Sequence, residues 1–294
     1  MKMALLCALL VSMWIFSGCS SNTGPGENVK ITTLLTGLEY PKGLWIAGGK
    51  VYFTETAGRN TTYGGKVALS TYDIATGATA LIIDNPANSD AVVVTASGTM
   101  YLTSWHGAIP GDFGKVSSVD PVTHVESQVT DLQIASTDMF LKANEDILVI
   151  GESNTVDANS MYLLPSGNYG NATVLHRGLG IAKCLTGAGG VIYYSDDYDV
   201  KRWVSISTLE SFFPGKSVES ISATSAWLYY ADTERGTVAR IDVGSRRVEM
   251  LADRLNGPTA IRWVDSSKKL YLLEAGTDVN HYKDGTLKVI TGLR

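Results

Sequence analysis

The chain has 294 residues and a formal charge of −5, and its 24 Lys and Arg are scattered rather than gathered into a basic run. That excludes the electrostatic footprint of nucleic-acid binding, so no nucleic-acid partner is expected. Only 18% of residues are charged, while Gly (30) and Tyr (14) are abundant, the composition of a compact β protein long enough to bury a sizeable core in one domain.

Residues 1–18 read as a signal peptide: Lys2 supplies a charged start, Met3 to Phe16 an apolar run, and Ser17-Gly18 a small-residue cleavage site before Cys19. The run is shorter than the roughly 20 residues a membrane span needs. Ser-Gly-Cys resembles the lipobox of bacterial lipoproteins, with Phe16 where that pattern usually carries an aliphatic residue. The resemblance implies that Cys19 is acylated and that the mature chain is held in a membrane by several buried acyl chains. Ser20 rather than Asp after Cys19 implies, by the enterobacterial pattern, the outer membrane of a diderm cell envelope. Residues 19–28 then form a lipidated, flexible tether of small polar residues with two Gly and one Pro. Cys7 is lost with the signal and Cys19 is consumed by lipid, so Cys184 is left without a disulfide partner. It sits in the apolar run Ile181 to Leu185 and reads as an inert core residue.

From residue 29 to 294 one pattern recurs about every 45 residues, the period of a repeat architecture. The second strand of each repeat ends on an acid or hydroxyl, and in five of the six it carries an aromatic: Val51–Glu55, Met100–Ser104, Ile147–Glu152, Ile192–Asp196, Leu228–Asp232 and Leu270–Glu274. Tyr52, Tyr101, Tyr193, Tyr229 and Tyr271 align in one column, with Leu148 in the remaining repeat. A third strand, a tight turn such as Asp73 to Gly77, and a fourth strand complete the unit. Four short antiparallel strands per repeat predict an all-β fold, a six-bladed β-propeller with blades near 37–84, 85–130, 131–177, 178–213, 214–253 and 254–294. No amphipathic helix is predicted. Val29 to Leu35 reads as an outer strand that pairs with the last blade and closes the ring, although Thr286 to Ile290 also reads as an outer strand.

The turn Asp73 to Gly77, the segments Gly37-Leu-Glu-Tyr-Pro-Lys-Gly-Leu-Trp45 and Leu255-Asn-Gly-Pro-Thr-Ala-Ile-Arg-Trp263, and Tyr229 to Asp242 resemble the superfamily of NHL-repeat, gluconolactonase (senescence marker protein) and strictosidine synthase-like propellers. The resemblance covers most of residues 35–290 and implies the six-bladed fold.

In such a blade the loop into the inner strand and the loop after the second strand line one mouth of the central channel. The repeat alignment places Glu39, Pro41, Lys42, Asp90, Asp138, Lys183, Glu219 and Thr259 on the lead-in loops. It places Glu55, Ser104 with Trp105 and His106, Glu152 with Asn154, Asp196 with Asp197, Asp232 and Glu274 on the second loops. A mouth ringed by carboxylates suits Ca²⁺ or another divalent cation, which takes six to eight oxygens. Two readings stay open: a cation site, or acids that cap loops and bond backbone amides, with Lys42 and Lys183 neutralising part of the ring. The resemblance implies metal ligands at Glu39, Asn154, Asp196 and Asn256, though Glu-Tyr-Pro stands here for the family's Glu-Gly-Pro and Asn256-Gly-Pro permutes its signature. His106, in the long loop Ser104 to Gly114, is the candidate general base, because an imidazole titrates near neutrality. His124 and His176 fall near outer strands and read as surface residues. The tyrosine column reads as packing between blades.

No nucleophile elbow, P-loop, His-Glu-x-x-His or Cys-x-x-Cys is present. Three functions follow as expectations. The first is a membrane-anchored envelope lipoprotein binding a small molecule or an envelope protein at the acidic mouth. The second is a divalent-metal hydrolase or lactonase of the gluconolactonase type, and the third a propeller lyase.

Overall fold

Alternating β-branched and aromatic residues, cut at short intervals by Gly, Asn, Asp or Ser, favour short antiparallel strands over helices. The computed structural model describes residues 29–56, 67–84, 89–104, 114–132, 134–152, 159–205, 208–214, 218–277 and 283–293, and among them all extended regular structure is β-strand. Strand β1 (Lys30–Leu38) is followed by blade one, β2 (Pro41–Ala47), β3 (Lys50–Thr56), β4 (Val67–Asp73) and β5 (Thr79–Asp84). Blade two is β6 (Val92–Val94), β7 (Met100–Ser104), β8 (Lys115–Val119) and β9 (Glu126–Asp131). Blade three is β10 (Ala135–Leu141), β11 (Ile147–Glu152), β12 (Ser160–Leu164) and β13 (Thr173–Arg177). Blade four is β14 (Cys184–Ala188), β15 (Val191–Ser195), β16 (Val200–Ser205) and β17 (Thr208–Phe213), the last an outer strand not recognised from sequence. Blade five is β18 (Ser220–Ala223), β19 (Trp227–Asp232), β20 (Thr237–Asp242) and β21 (Val248–Ala252). Blade six is β22 (Pro258–Val264), β23 (Lys269–Glu274) and β24 (Gly285–Thr291), completed by β1.

The fold class expected from the repeats is therefore what the chain adopts: six four-stranded antiparallel sheets arranged as a propeller. The ambiguity at closure also disappears. The C-terminal β24 is the third strand of blade six, and the N-terminal β1 is its outermost, paired from Lys30↔Thr291 to Leu38↔Gly285. Closure of this kind ties the two ends of the described chain into one sheet.

Local chemistry sets the turns. Asp73 and Asp120 each close the end of a third strand, their Oδ1 accepting two backbone N–H groups and the hydroxyl of Thr76 or Thr123. Asp242 accepts the Ser245 N–H in the same way. These bonds hold all three carboxyls below the usual carboxylate range, the Thr76, Thr123 and Ser245 amides contributing most.

The apolar core lies between neighbouring blades. Val93, Tyr101 and Val116 of blade two pack with Met139, Ile147, Val149 and Tyr162 of blade three. Tyr229 of blade five stacks on Trp263 of blade six, ring centroids 4.9 Å apart and planes 13° off parallel. Tyr101, Tyr193, Tyr229 and Tyr271 are buried, as the packing reading of that column requires. Cys184 is buried too, and burial raises its thiol pKa well above the ordinary value, which leaves it a core residue and not a nucleophile.

Inner strands converge on the axis without forming a ladder with one another, and side chains bridge the gaps. Ser220 and Ser222 Oγ accept the N–H groups of Ile261 and Trp263, at 3.0 Å each. Thr137 Oγ1 donates to Ala182 O at 2.8 Å, and Thr259 Oγ1 to Pro41 O at 2.6 Å. The strand registers shift between Ser136 and Asp138 and between Pro258 and Ala260, bulges that turn Thr137 and Thr259 toward the next blade.

Candidate functional site

Each inner strand starts at the same face of the ring, so the residues leading into it surround the axis. They enclose a cavity of about 470 Å³, within the range of small-molecule sites. Lys42, Asp90, Asp138, Lys183, Glu219 and Thr259, one lead-in position per blade, all line it. The repeat alignment groups these same positions at the mouth.

Their charges form three couples. Lys42 Nζ lies 3.2 Å from Asp90 across blades one and two. Lys183 Nζ lies 3.0 Å from Glu219 and 3.4 Å from Asp197 across blades four and five. Burial pulls the Lys183 pKa down, but its bond to Glu219 and the charges of Glu219 and Asp197 outweigh that and raise it on balance. The expected neutralisation of the acidic ring by Lys42 and Lys183 is thus present. The third couple spans opposite blades: Asp138 on β10 and Arg262 on β22 interact through their charges but form no ion pair.

Asp138 is the chemically unusual member. Its Oδ1 accepts the Met139 N–H and its Oδ2 the Leu185 N–H, both at 2.8 Å. Burial nonetheless pushes its pKa up to about 6, against the lowering effect of those amides and of Arg262. Each carboxylate oxygen keeps a further lone pair for a ligand. Arg262 lies against the face of Trp45, its guanidinium carbon 4.3 Å from the ring centroid, and Nη2 donates to Leu44 O at 3.4 Å. Burial lowers its pKa and Asp138 offsets part of that. Tyr40 completes the wall with φ +46°, in the left-handed region where a residue with a side chain is strained.

The second-loop acids behave differently. Glu55, Asp196, Asp232 and Glu274 are buried and do not line the cavity, except that Glu152 reaches it. Glu55 accepts the Glu39 N–H, and Glu274 accepts the Asn256 N–H and the Thr286 hydroxyl and pairs with Lys288. Asp196 caps the turn at Tyr198 and Asp199 and pairs with Lys201. These groups stand one strand away from the axis, so they brace the loops rather than face the channel. The expected full ring of carboxylates is therefore half a ring with cations set into it.

Of the residues singled out from sequence, Glu39, Asp196 and Asn256 do not line the cavity. Glu39 and Asn256 lead into adjacent blades one and six, and Asp196 belongs to blade four. His106, Asn154 and Cys19 lie outside the described residues. His124 and His176 are on outer turns and strands, His176 Nδ1 lying 2.7 Å from Arg177 O. Among the described residues no group of three His, Cys, Asp or Glu side chains is arranged to hold a metal ion. The cavity carboxylates Asp90 and Glu219 are each occupied by an ammonium, so the described residues do not fit a divalent cation. Arg262 is not among the residues the repeat alignment singles out; its signal is an Arg inside the otherwise uncharged strand Pro-Thr-Ala-Ile-Arg-Trp-Val.

No protein-family model and no curated protein matches the chain. Solved structures do. Regucalcin from Agrobacterium tumefaciens str. C58, described as a calcium-binding protein, superposes with a TM-score of 0.67 at 14% identity over 89% of this chain and 94% of that one. A gluconolactonase from Xanthomonas campestris gives 0.68 at 12% identity over 90% and 91%. The PQQ-bound aldose sugar dehydrogenase from Streptomyces coelicolor gives 0.64 at 11% identity over 91% and 100%. The likeness is one of fold.

Proposed function

We propose that the chain is a hydrolase that opens a small hydroxylated lactone or ester in the central cavity, with Asp138 as general base. The observation that carries this reading is a carboxyl group fixed by two backbone amides, facing a ligand-sized cavity, with its pKa pushed up to about 6. A base titrating near the working pH is well matched to proton transfer. In the step proposed, Asp138 takes a proton from water as the water oxygen bonds to the acyl carbon. The acyl carbon–oxygen bond then breaks, and the departing alkoxide recovers that proton, leaving a hydroxy acid. The gluconolactonase among the fold neighbours supports the lactone class. The described residues do not fit a divalent cation, so Asp138 activates the water in this step; the metal-dependent form would need Glu39, Asn154, Asp196 and Asn256.

Hydrolysis of D-glucono-1,5-lactone by the purified protein, followed in a pH-stat, tests this. Turnover should rise with pH through about 6 as Asp138 ionises, persist in a chelator, and fall about 10²- to 10⁴-fold in Asp138→Ser. Loss of activity in the chelator would point to the metal-dependent form. Ligand binding with no turnover would favour a second reading, a binding propeller, which the internal pairing of Lys42 with Asp90 and Lys183 with Glu219 supports.

We propose further that acylated Cys19 holds the protein at a membrane of the cell envelope, on the strength of Ser17-Gly18-Cys19 behind an apolar run. Cys19→Ser should move it from the membrane fraction to the soluble fraction; a variant still sedimenting with membranes would overturn the anchor.

A further inference from the structure

A guanidinium carries five N–H donors and stays charged inside a protein, so one withdrawn from water needs acceptors. Arg262 has few. Its Nη2 makes one long bond to Leu44 O, its Nε is sealed from solvent with no partner, and Nη1 makes no hydrogen bond among the described residues. No carboxylate lies within ion-pair distance of it among the described residues. The other cations of the cavity, Lys42 and Lys183, are each neutralised. Asp138, the charge it interacts with, bonds a backbone amide through each oxygen and forms no ion pair with Arg262. The Trp45 ring holds the guanidinium plane in place, so its terminal Nη1 and Nη2 donors are preorganised.

We infer that Arg262 is the anchor for a carboxylate on the molecule this cavity binds, and that the ligand is a small hydroxylated monocarboxylic acid or a lactone bearing such a group. This rests on the cavity being the ligand site proposed above and is independent of turnover. A carboxylate in the cavity can take one hydrogen bond from Nη1 and one from the second proton of Nη2, an end-on pairing that does not use the sealed Nε. Asp138 and Glu152, the lining carboxylates not paired with a lysine, select against a second negative charge, which sets a monocarboxylate above a phosphate. The same carboxylates accept hydrogen bonds from hydroxyl groups, and a cavity of about 470 Å³ suits a sugar acid.

Calorimetric titration of the wild-type protein with D-gluconate, D-glucuronate, neutral D-glucitol and inorganic phosphate tests the inference. Gluconate or glucuronate should bind saturably and raise Tm, while glucitol and phosphate should not. Arg262→Met should weaken the carboxylate about 10- to 100-fold, and Arg262→Lys, which keeps the charge without the fork, should fall between and serves if the Met variant does not fold. Equal binding of gluconate and glucitol, phosphate binding as tightly, or no carboxylate binding at all would each overturn the anchor. So would an Arg262→Met protein with lowered Tm and an unchanged gluconate-to-glucitol ratio, the result expected if Arg262 merely balances Asp138. Carboxylate binding without lactone turnover sustains the anchor and removes the hydrolase alone; turnover without carboxylate preference does the reverse.

Discussion

Asp138 does in blade three what Ser220 does in blade five: each accepts a backbone N–H from the next inner strand. A hydroxyl suffices for that bond, so the carboxyl at 138 brings a cost that the staple alone does not require. Its pKa is about 6 in the folded chain against about 3.9 when unfolded. The folded state therefore binds the proton more tightly, and the stabilisation is present at low pH and lost as pH rises from about 4 to about 6. The loss amounts to about 3 kcal/mol at about 1.4 kcal/mol per unit. Urea denaturation of the wild type and Asp138→Ser between pH 4 and 7 should show the variant without that decline; parallel profiles would contradict the assigned environment. Tyr40 is a second local expense. Its φ of +46° is a conformation suited to glycine, held while its residue faces the cavity, and strain of this kind gathers at ligand sites.

Among the elements, the inner strands depend on side chains for their lateral bonds. Ser220→Ala would leave the Ile261 N–H without its acceptor in a partly buried setting, at about 1–3 kcal/mol; a loss of unfolding free energy in urea well below that range would mean that another group takes the bond. Gly151 shows how little slack the second strands have, since a Cβ there would meet the backbone of Ala135 and Ser136. The lead-in residues around the cavity were legible in the sequence because the tyrosine column fixes their distance from it. The acids after the second strands were not, because alignment gives a position along the chain but not the direction of a side chain. Glu55, Asp196 and Glu274, three residues past the aligned column, turn into their blades to meet backbone amides or lysines, whereas Glu152, four past Leu148, reaches the cavity. Arg262 was hidden for a related reason. Its partners, Trp45 and Leu44, are more than two hundred residues away in the chain and adjoin it only once the ring is closed.

For the whole molecule, closure rests on β1. Its hydrogen bonds to β24 cover the edge that the C-terminal strand would otherwise expose, and such edges invite pairing with other chains. A chain beginning after Leu38 should therefore form concentration-dependent aggregates in light scattering where the full chain does not; a monodisperse truncated protein would show that β24 needs no cover. The six repeats and their all-β character were readable from periodicity alone. Which terminus supplied the last strand was not, since residues 29–35 and 286–290 carry the same pattern.

The direction of β1 has a mechanical consequence. Lys30 pairs with Thr291, at the end of blade six remote from Pro258 and Glu274, where the cavity opens. A chain arriving from the N-terminal side thus joins the ring on the face opposite the mouth. If residue 19 is fixed in a bilayer, the mouth is turned outward, and any pull on the protein runs along β1 and loads its row of hydrogen bonds to β24 in shear, many bonds at once instead of one after another. The strand that seals the ring is then also its mooring line.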